Sequence, residues 1–139
     1  MTRAPRLYAL VAAVTALASF TSLRNGFVYD DVPAVAEDAR IRFLAPDLLA
    51  RSYWNDDVRD RIYRPLTTAS FAVDWATGHG SPFTFHLTNL LLHTAVCLLV
   101  LALARRILGP APGALVAALW FAVHPVHVEA VAGVVGRAE

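Results

Sequence analysis

The chain alternates between apolar stretches and polar segments, and the first apolar stretch covers residues 7–23, after Arg3 and Arg6. Its length is close to the minimum of about 17 residues for a helix that crosses a bilayer. The charged start and the small residues at 16–18 are also typical of a cleaved signal peptide. Because the apolar run continues past residue 18 and further stretches follow, the pattern favours a retained transmembrane helix.

Two more apolar stretches lie in the second half of the chain. Residues 86–104 form the stronger one, which Arg105 and Arg106 close, and a turn rich in proline and glycine follows over residues 105–113. The third stretch begins at residue 114, is interrupted by His124 and Pro125, and resumes at residue 126. A proline inside an apolar helix predicts a kink or break, here at the membrane boundary, and the predicted segment extends to residue 139.

The arginines beside the spans predict the orientation, because basic residues flank membrane helices on the cytoplasmic side. Residues 1–6 and 105–113 are therefore expected in the cytoplasm, and the long loop of residues 24–85 is expected on the outer side. The segment after the third helix then emerges on that same side. Asp30 and Asp31 are predicted to meet the polar residues of 124–139 at one membrane face.

The long loop contains its own structure. Residues 33–50 mix apolar and charged side chains, as helices lying in the membrane interface do, and Pro46 divides them into two short helices. A simple soluble hairpin loop is the alternative. The aromatic residues of 53–54 and 63 are typical interfacial anchors, residues 55–57 are expected to form a solvated turn, and residues 67–75 form a short amphipathic segment that is too short to span.

Composition supports a membrane protein and excludes several classes. Hydrophobic residues make up 57% and charged residues 17% of the 139 residues, against about 25% charged in ordinary soluble domains, and the mean hydropathy is +0.50. The net charge of +1 predicts no nucleic-acid partner. The single Cys97 lies in an apolar run, so neither a disulfide framework nor a thiol-based metal cluster is expected.

The acidic pair Asp30 and Asp31 follows the first apolar stretch directly. Carboxylates at a membrane boundary can act as a general base on a hydroxyl or lie beside a lipid-borne phosphate. The same pair, followed by Pro33, is also typical of a helix start. The residues alone leave both interpretations open.

Histidines form the other polar group. One stripe of the predicted second helix carries His86, Asn89 and His93. These side chains could form a polar wall beside the substrate, or they could make hydrogen bonds between helices. His86, near the outer end, is the better site candidate. His124, His127 and Glu129 lack the spacing of a zinc site, so no metal is predicted. Hydrogen bonds to phosphate or sugar are expected instead, and Arg137 is the strongest phosphate partner because a guanidinium can bind two oxygens. Arg137 could also mark the interface or pair with Glu139.

Four segments together resemble a known family. They are residues 25–31 (NGFVYDD), 63–67 (YRPLT), 85–93 (FHLTNLLLH) and 121–139 (FAVHPVHVEAVAGVVGRAE). Their order and spacing resemble the N-terminal membrane part of the transmembrane and tetratricopeptide repeat-containing O-mannosyltransferases and their bacterial relatives. The resemblance covers nearly the whole chain, from residue 7 to residue 139.

The resemblance implies an all-α membrane protein of about three transmembrane helices, a fragment of a GT-C glycosyltransferase fold. It implies transfer of a sugar, typically mannose, from a polyprenyl-phosphate carrier to a protein Ser or Thr hydroxyl. An acidic residue of the first outer loop is the base in such enzymes, and the matching positions here are Asp30 and Asp31. The resemblance does not decide between them; Asp30 is favoured, with Asp31 orienting the acceptor or holding Asp30. The donor phosphate or substrate would be bound by residues Arg64, His86, His124, His127, Glu129 and Arg137.

The chain is small for that family, and no 34-residue repeat occurs in it. It is expected to be a fragment that is inactive by itself. The alternatives are a non-catalytic small membrane subunit or truncated remnant, and a transporter or lipid flippase segment. The lysine-free composition favours a bacterial inner membrane, with the endoplasmic reticulum as the eukaryotic equivalent, and the partners expected are the bilayer, the lipid-linked donor and an acceptor protein.

Overall fold

A computed structural model describes residues 3–50, 53, 62–110 and 112–138, and within them the secondary structure is helical, with no strand. The predicted turn at residues 55–57 and the predicted partner Glu139 lie outside the described residues. The α-helices are α1 (Arg3–Ser19), α2 (Ala39–Arg42), α3 (Pro65–Gly78), α4 (Pro82–Leu108), α5 (Pro112–Val123) and α6 (Val128–Ala132). Short 3₁₀ helices cover Phe20–Arg24, Pro125–His127 and Val135–Ala138, and a π-helical turn covers Val32–Ala36.

Two helical segments are long and apolar enough to cross a membrane, namely Ala4–Arg24, which joins α1 to the 3₁₀ turn, and Pro82–Leu108. Both extend beyond the bounds expected from hydrophobicity. The second begins at Pro82 rather than residue 86, because proline is well suited to the first turn of a helix, where its missing N–H needs no partner. The prediction of an all-α membrane protein is confirmed.

The third apolar stretch is bent, as the proline predicted. The axes of Pro112–Val123 and Pro125–Ala132 differ by 44°. Pro125 has no N–H to continue the helix, and the Nδ1 atom of His124 accepts a hydrogen bond from the Val126 N–H (3.2 Å). If the bent pair counts as one span, the described residues form up to three spans.

The membrane helices α1, α4 and α5 pack around one apolar cluster. Its buried members are Val11, Cys97, Leu101, Ala118 and Ala122. The alanines of α5 carry small side chains, and small residues let membrane helices approach closely. The hydroxyl of Thr15 donates to the Val11 carbonyl oxygen (2.9 Å), so this buried polar group is satisfied within its own helix.

A second layer covers one end of the helix bundle. Its apolar cluster includes Val35, Ile41, Phe71, Phe85 and Val134, so it joins the segment after α1 to α3, to the start of α4 and to the end of the chain. The segment of residues 33–50 contains two short helical pieces, Val32–Ala36 and Ala39–Arg42, but both lie before Pro46 rather than on either side of it, and turns follow over residues 43–50. Residues 67–75 lie within the longer helix α3.

Candidate functional site at one end of the helix bundle

A cleft of about 940 Å³ opens at the end of the bundle where the second layer lies. Every predicted site residue except His86 and His124 lines it. The set comprises Asp30, Asp31, Arg64, His127, Glu129 and Arg137. These residues come from four separate segments of the chain. As predicted, the acidic pair and the last segment lie close together.

Asp31 is buried, with a relative exposure of 1%. Its Oδ1 atom accepts a hydrogen bond from the Val135 N–H (2.9 Å), and its Oδ2 atom accepts one from the Val28 N–H (3.2 Å). The carboxylate makes no capping bond to the helical turn that starts at Val32. Asp31 therefore connects two distant backbone segments rather than capping the helix that follows it.

Asp30 is exposed at the wall of the cleft, next to the buried Asp31. Tyr29, on its other side, has a positive φ of 48°, which is uncommon for a residue with a side chain. The hydrogen bonds of Asp31 hold the backbone at this point, so the position of Asp30 is set by its neighbour.

Arg64 lies at the start of α3 and is half-buried. Its guanidinium lies 5.5 Å from the centre of the Tyr53 ring, a distance typical of a cation–π interaction. Within the described residues, it makes no ion pair with a carboxylate. Burial raises the pKa of the Tyr53 phenol above its ordinary value, and the nearby Arg64 charge opposes that increase.

Arg137 is the most heavily bonded side chain of the site. Its Nε donates to Asn89 Oδ1 (2.7 Å), its Nη1 to Ser70 Oγ (2.9 Å) and its Nη2 to the Phe85 carbonyl oxygen (2.9 Å). Its Nη2 also pairs with Asp74 Oδ2 (2.6 Å), and both side chains are buried. Burial lowers the pKa of Arg137, and the Asp74 carboxylate opposes that decrease.

These contacts do not support the prediction that Arg137 is the main phosphate ligand. Its guanidinium presents five N–H donors, and α3 and α4 already supply partners to all three of its nitrogen atoms. A phosphate would have to displace Asp74 or Asn89 from a buried position. Arg137 instead fixes the last segment of the chain against α3 and α4, whereas Arg64 lines the cleft and makes no ion pair with a carboxylate of the described residues.

His127 and Glu129 also line the cleft, on the segment after the helix bend. The His127 ring lies 4.2 Å from the Phe121 ring and 5.4 Å from the His93 ring, between centroids. Glu129 is exposed on α6. The aromatic contacts hold the imidazole at the rim, where its nitrogen atoms can hydrogen-bond to a ligand.

His86 and His124 do not line the cleft. His86 has a relative exposure of 0%, so it is a core residue of the second layer, and its selection as the best site histidine of the stripe is not supported. His124 stabilises the bend through Val126, and its ring lies 5.9 Å from that of Trp120. A role of either residue in ligand binding stays a prediction that the lining of the cleft does not support.

Comparison with characterised proteins gives matches along most of the chain. Protein O-mannosyl-transferase TMTC3 of Mus musculus is 36% identical over 136 residues, which cover 94% of this chain and 15% of that protein. Protein O-mannosyl-transferase Tmtc1 of Drosophila melanogaster is 39% identical over 124 residues, 85% of this chain and 14% of that protein. This chain is a homologue of the TMTC proteins. It spans about 15% of the length of these relatives.

The family resemblance inferred from the four motifs is thereby confirmed. Protein O-mannosyl-transferase TMTC1 of Mus musculus is 39% identical over 139 residues, again covering 94% of this chain. No protein-family profile matches the chain. No solved structure matches it either.

Two residues in or beside the cleft were missed or only partly interpreted from the sequence. Asn89 was predicted to hydrogen-bond between helices, and its Nδ2 donates to the Gly133 carbonyl oxygen (2.7 Å). Asp74 was not predicted as a site residue. It is the only charged residue of the apolar helix α3, and this isolation is a signal in the sequence that could have identified it. No group of three or more His, Cys, Asp or Glu side chains suited to a metal ion occurs in the part of the chain that the structure describes.

Proposed function

We propose that this chain provides part of the active site of a membrane glycosyltransferase. The enzyme would transfer mannose from a polyprenyl-phosphate carrier to a Ser or Thr hydroxyl of a protein, with Asp30 as the general base. The observation that supports this proposal is the cleft itself. It combines an exposed carboxylate, the Arg64 guanidinium and an apolar wall at the end of membrane-spanning helices.

The reaction would proceed by direct displacement. The acceptor oxygen attacks the anomeric carbon of the sugar, the bond from that carbon to the phosphate oxygen breaks, and polyprenyl phosphate leaves with the bonding electrons. Asp30 takes the hydroxyl proton as the new bond forms. A positioned carboxylate base of this kind contributes roughly 10²-fold to 10⁴-fold to a rate.

Arg64 would stabilise the negative charge that develops on the departing phosphate. A fixed cation directed at the leaving group acts most strongly where water is excluded, and stacking against Tyr53 holds this guanidinium at the cleft. His127 and Glu129, which also line the cleft, would hydrogen-bond to the sugar hydroxyls. Asp31 would act through Asp30, by holding its backbone.

The apolar part of the cleft suits a lipid-linked donor. Leu92 and Val96 of α4 continue the wall from the polar rim towards the membrane interior, where an isoprenoid chain can lie. The polar groups lie at the end of the spans rather than near their middle. This arrangement supports surface chemistry more than transport, which uses polar groups near the bilayer midplane.

The expected setting is a bacterial inner membrane, with the cleft on its outer side, where an acceptor protein can reach Asp30. No divalent metal enters the proposed chemistry. Addition of EDTA is therefore expected to leave sugar transfer unchanged.

The test is the substitution Asp30→Asn in the protein as its host produces it. Transfer of radiolabelled mannose from polyprenyl-phosphate mannose to a Ser/Thr peptide is measured in membranes, and insertion is checked by protease protection. The substitution should lower kcat at least about 10²-fold with insertion unchanged. Glu37→Gln is the matched control, because Glu37 is exposed and lies outside the cleft. Normal transfer by Asp30→Asn would exclude Asp30 as the base.

A further inference from the structure

The end of the helix bundle away from the cleft has an unbalanced positive charge. Arg6 lies in the first turn of α1, and Arg105 and Arg106 lie in the last turn of α4. Neither residues 1–29 nor residues 75–128 contain an Asp or a Glu, so α1, α4 and α5 supply no carboxylate to these arginines. Among the described residues, the acidic side chains of the cleft, Asp30, Asp31 and Glu129, lie at the other end.

Distance prevents compensation across the bundle. The 27 residues of α4 correspond to about 40 Å at 1.5 Å per residue. Charges in water are screened beyond about 8–10 Å at physiological salt. An anion that neutralises the arginines at this end must therefore come from outside the described helices.

An apolar groove begins beside the same arginines. It has a volume of about 700 Å³ and is formed along α4 by Val96, Leu99 and Leu103, with Arg105 and Arg106 at its end. Leu99 is 68% exposed and Leu103 is 57% exposed. When α4 spans the membrane, the face that carries these leucines contacts the hydrocarbon. The groove therefore has an apolar wall inside the membrane and two arginines at the membrane boundary.

Arg105 offers a hydrogen-bond donor beside this groove. Its guanidinium lies 5.9 Å from the Tyr8 ring of α1, which holds the side chain at the junction of α1 and α4. Its Nη1 atom is buried and has no hydrogen-bond partner among the described residues. Buried donors are normally paired, so this atom identifies a missing acceptor.

We infer that this groove binds an anionic phospholipid. The lipid phosphodiester accepts hydrogen bonds from Arg105 and Arg106, and one acyl chain lies along Val96, Leu99 and Leu103. Basic pockets between membrane helices bind anionic headgroups in this manner. Val96 lines both the groove and the cleft, but Arg105 and Arg106 belong to the groove alone, and lipid binding at these arginines does not depend on sugar transfer.

The test uses the full protein in nanodiscs of equimolar dioleoylphosphatidylglycerol and dioleoylphosphatidylcholine, from which native mass spectrometry counts the retained lipids. The wild type should retain phosphatidylglycerol in excess. The double substitution Arg105→Gln with Arg106→Gln should lower that preference by about fivefold per arginine. Both faces of a nanodisc are accessible and identical, so an altered insertion direction would not change the result.

Two further variants make the result specific. Arg24→Gln removes an exposed arginine at the opposite end and should keep the wild-type preference. Leu103→Trp fills the exposed groove without changing charge and should lower total lipid retention. An equal ratio of the two lipids in the wild type, an unchanged preference in the double variant, or unchanged retention by Leu103→Trp would each overturn the inference.

Discussion

The carboxylate of Asp31 accepts a hydrogen bond from the backbone N–H of Val135, across a separation of 104 residues. This contact connects the segment that leaves α1 to the last described segment of the chain. It also gives the two members of the acidic pair different tasks, because Asp31 is buried while Asp30 remains exposed in the cleft.

Replacement of Asp31 should therefore lower stability more than replacement of an exposed acid. Asp31→Ala removes the acceptor of two partly buried hydrogen bonds, from the N–H groups of Val28 and Val135, at a cost of about 0.5–1.5 kcal/mol each. Thermal unfolding of the purified protein in detergent should show a clear decrease for Asp31→Ala and almost none for Glu37→Ala, an exposed position. Equal unfolding temperatures for the two variants would contradict the bridging role.

The buried pair of Asp74 and Arg137 is expected to be strongly coupled. Asp74→Ala leaves the Arg137 charge buried without its counter-ion, which typically costs about 3–5 kcal/mol. Adding Arg137→Met removes that charge, so the double variant should lose less stability than the sum of the single variants. A double-mutant cycle on denaturant unfolding measures the difference, and simple additivity would show that the pair is not coupled in the folded protein.

Gly136 is expected to tolerate no side chain. A Cβ atom there would lie 2.5 Å from the Glu129 carbonyl oxygen and 2.7 Å from the Ala130 Cα, and both are backbone atoms of α6. Gly136→Ala should lower the free energy of unfolding by about 1–3 kcal/mol, as overpacking does. Gly113→Ala is the control, because no atom lies within 4 Å of its Cβ position; similar unfolding of both variants would refute the close approach.

Arg64 should affect transfer through the donor phosphate. Arg64→Gln removes a charged hydrogen bond of about 1.5–3 kcal/mol, which corresponds to a decrease of roughly tenfold to a hundredfold in kcat/KM for the lipid donor. Arg42→Gln is a matched control, since Arg42 also stacks on an aromatic ring, at 5.4 Å from that of Trp75, but lies outside the cleft. Steady-state kinetics with varied donor concentration tests this, and equal loss in both variants would point to stacking rather than phosphate binding.

Because of Tyr53, the free energy of unfolding should decrease at alkaline pH. Burial raises its folded-state pKa, while the unfolded chain loses the phenol proton near pH 10. The stabilisation that the protonated Tyr53 phenol contributes to folding is therefore complete below about pH 10 and is lost as the pH rises further. The drop in unfolding temperature between pH 8 and pH 11 should be smaller for Tyr53→Phe than for wild type. Tyr29→Phe, at a site that is 92% exposed, should keep the full drop; the reverse order would refute this assignment.

Local sequence patterns were sufficient for the membrane helices, the bend at Pro125 and the family resemblance. Each depends on residues close together in the chain: a continuous apolar run, a missing N–H, or a short motif. The meeting of the acidic pair with the last segment also followed from counting spans, because each crossing returns the chain to the opposite membrane face.

Individual side-chain roles required the tertiary structure, because burial and hydrogen-bond partners depend on distant segments. Asp30 and Asp31 are adjacent in sequence, yet only Asp31 meets Val135. Arg137 was a plausible phosphate ligand until Asp74 was found beside it, and His86 lies in a core that the later packing of several helices creates. The sequence by itself determined the helices, their placement in a membrane and the homology, since these follow from local composition and motifs. Only the tertiary structure decided which charged groups face the cleft and which are paired in the interior, since that depends on contacts between residues far apart in the chain.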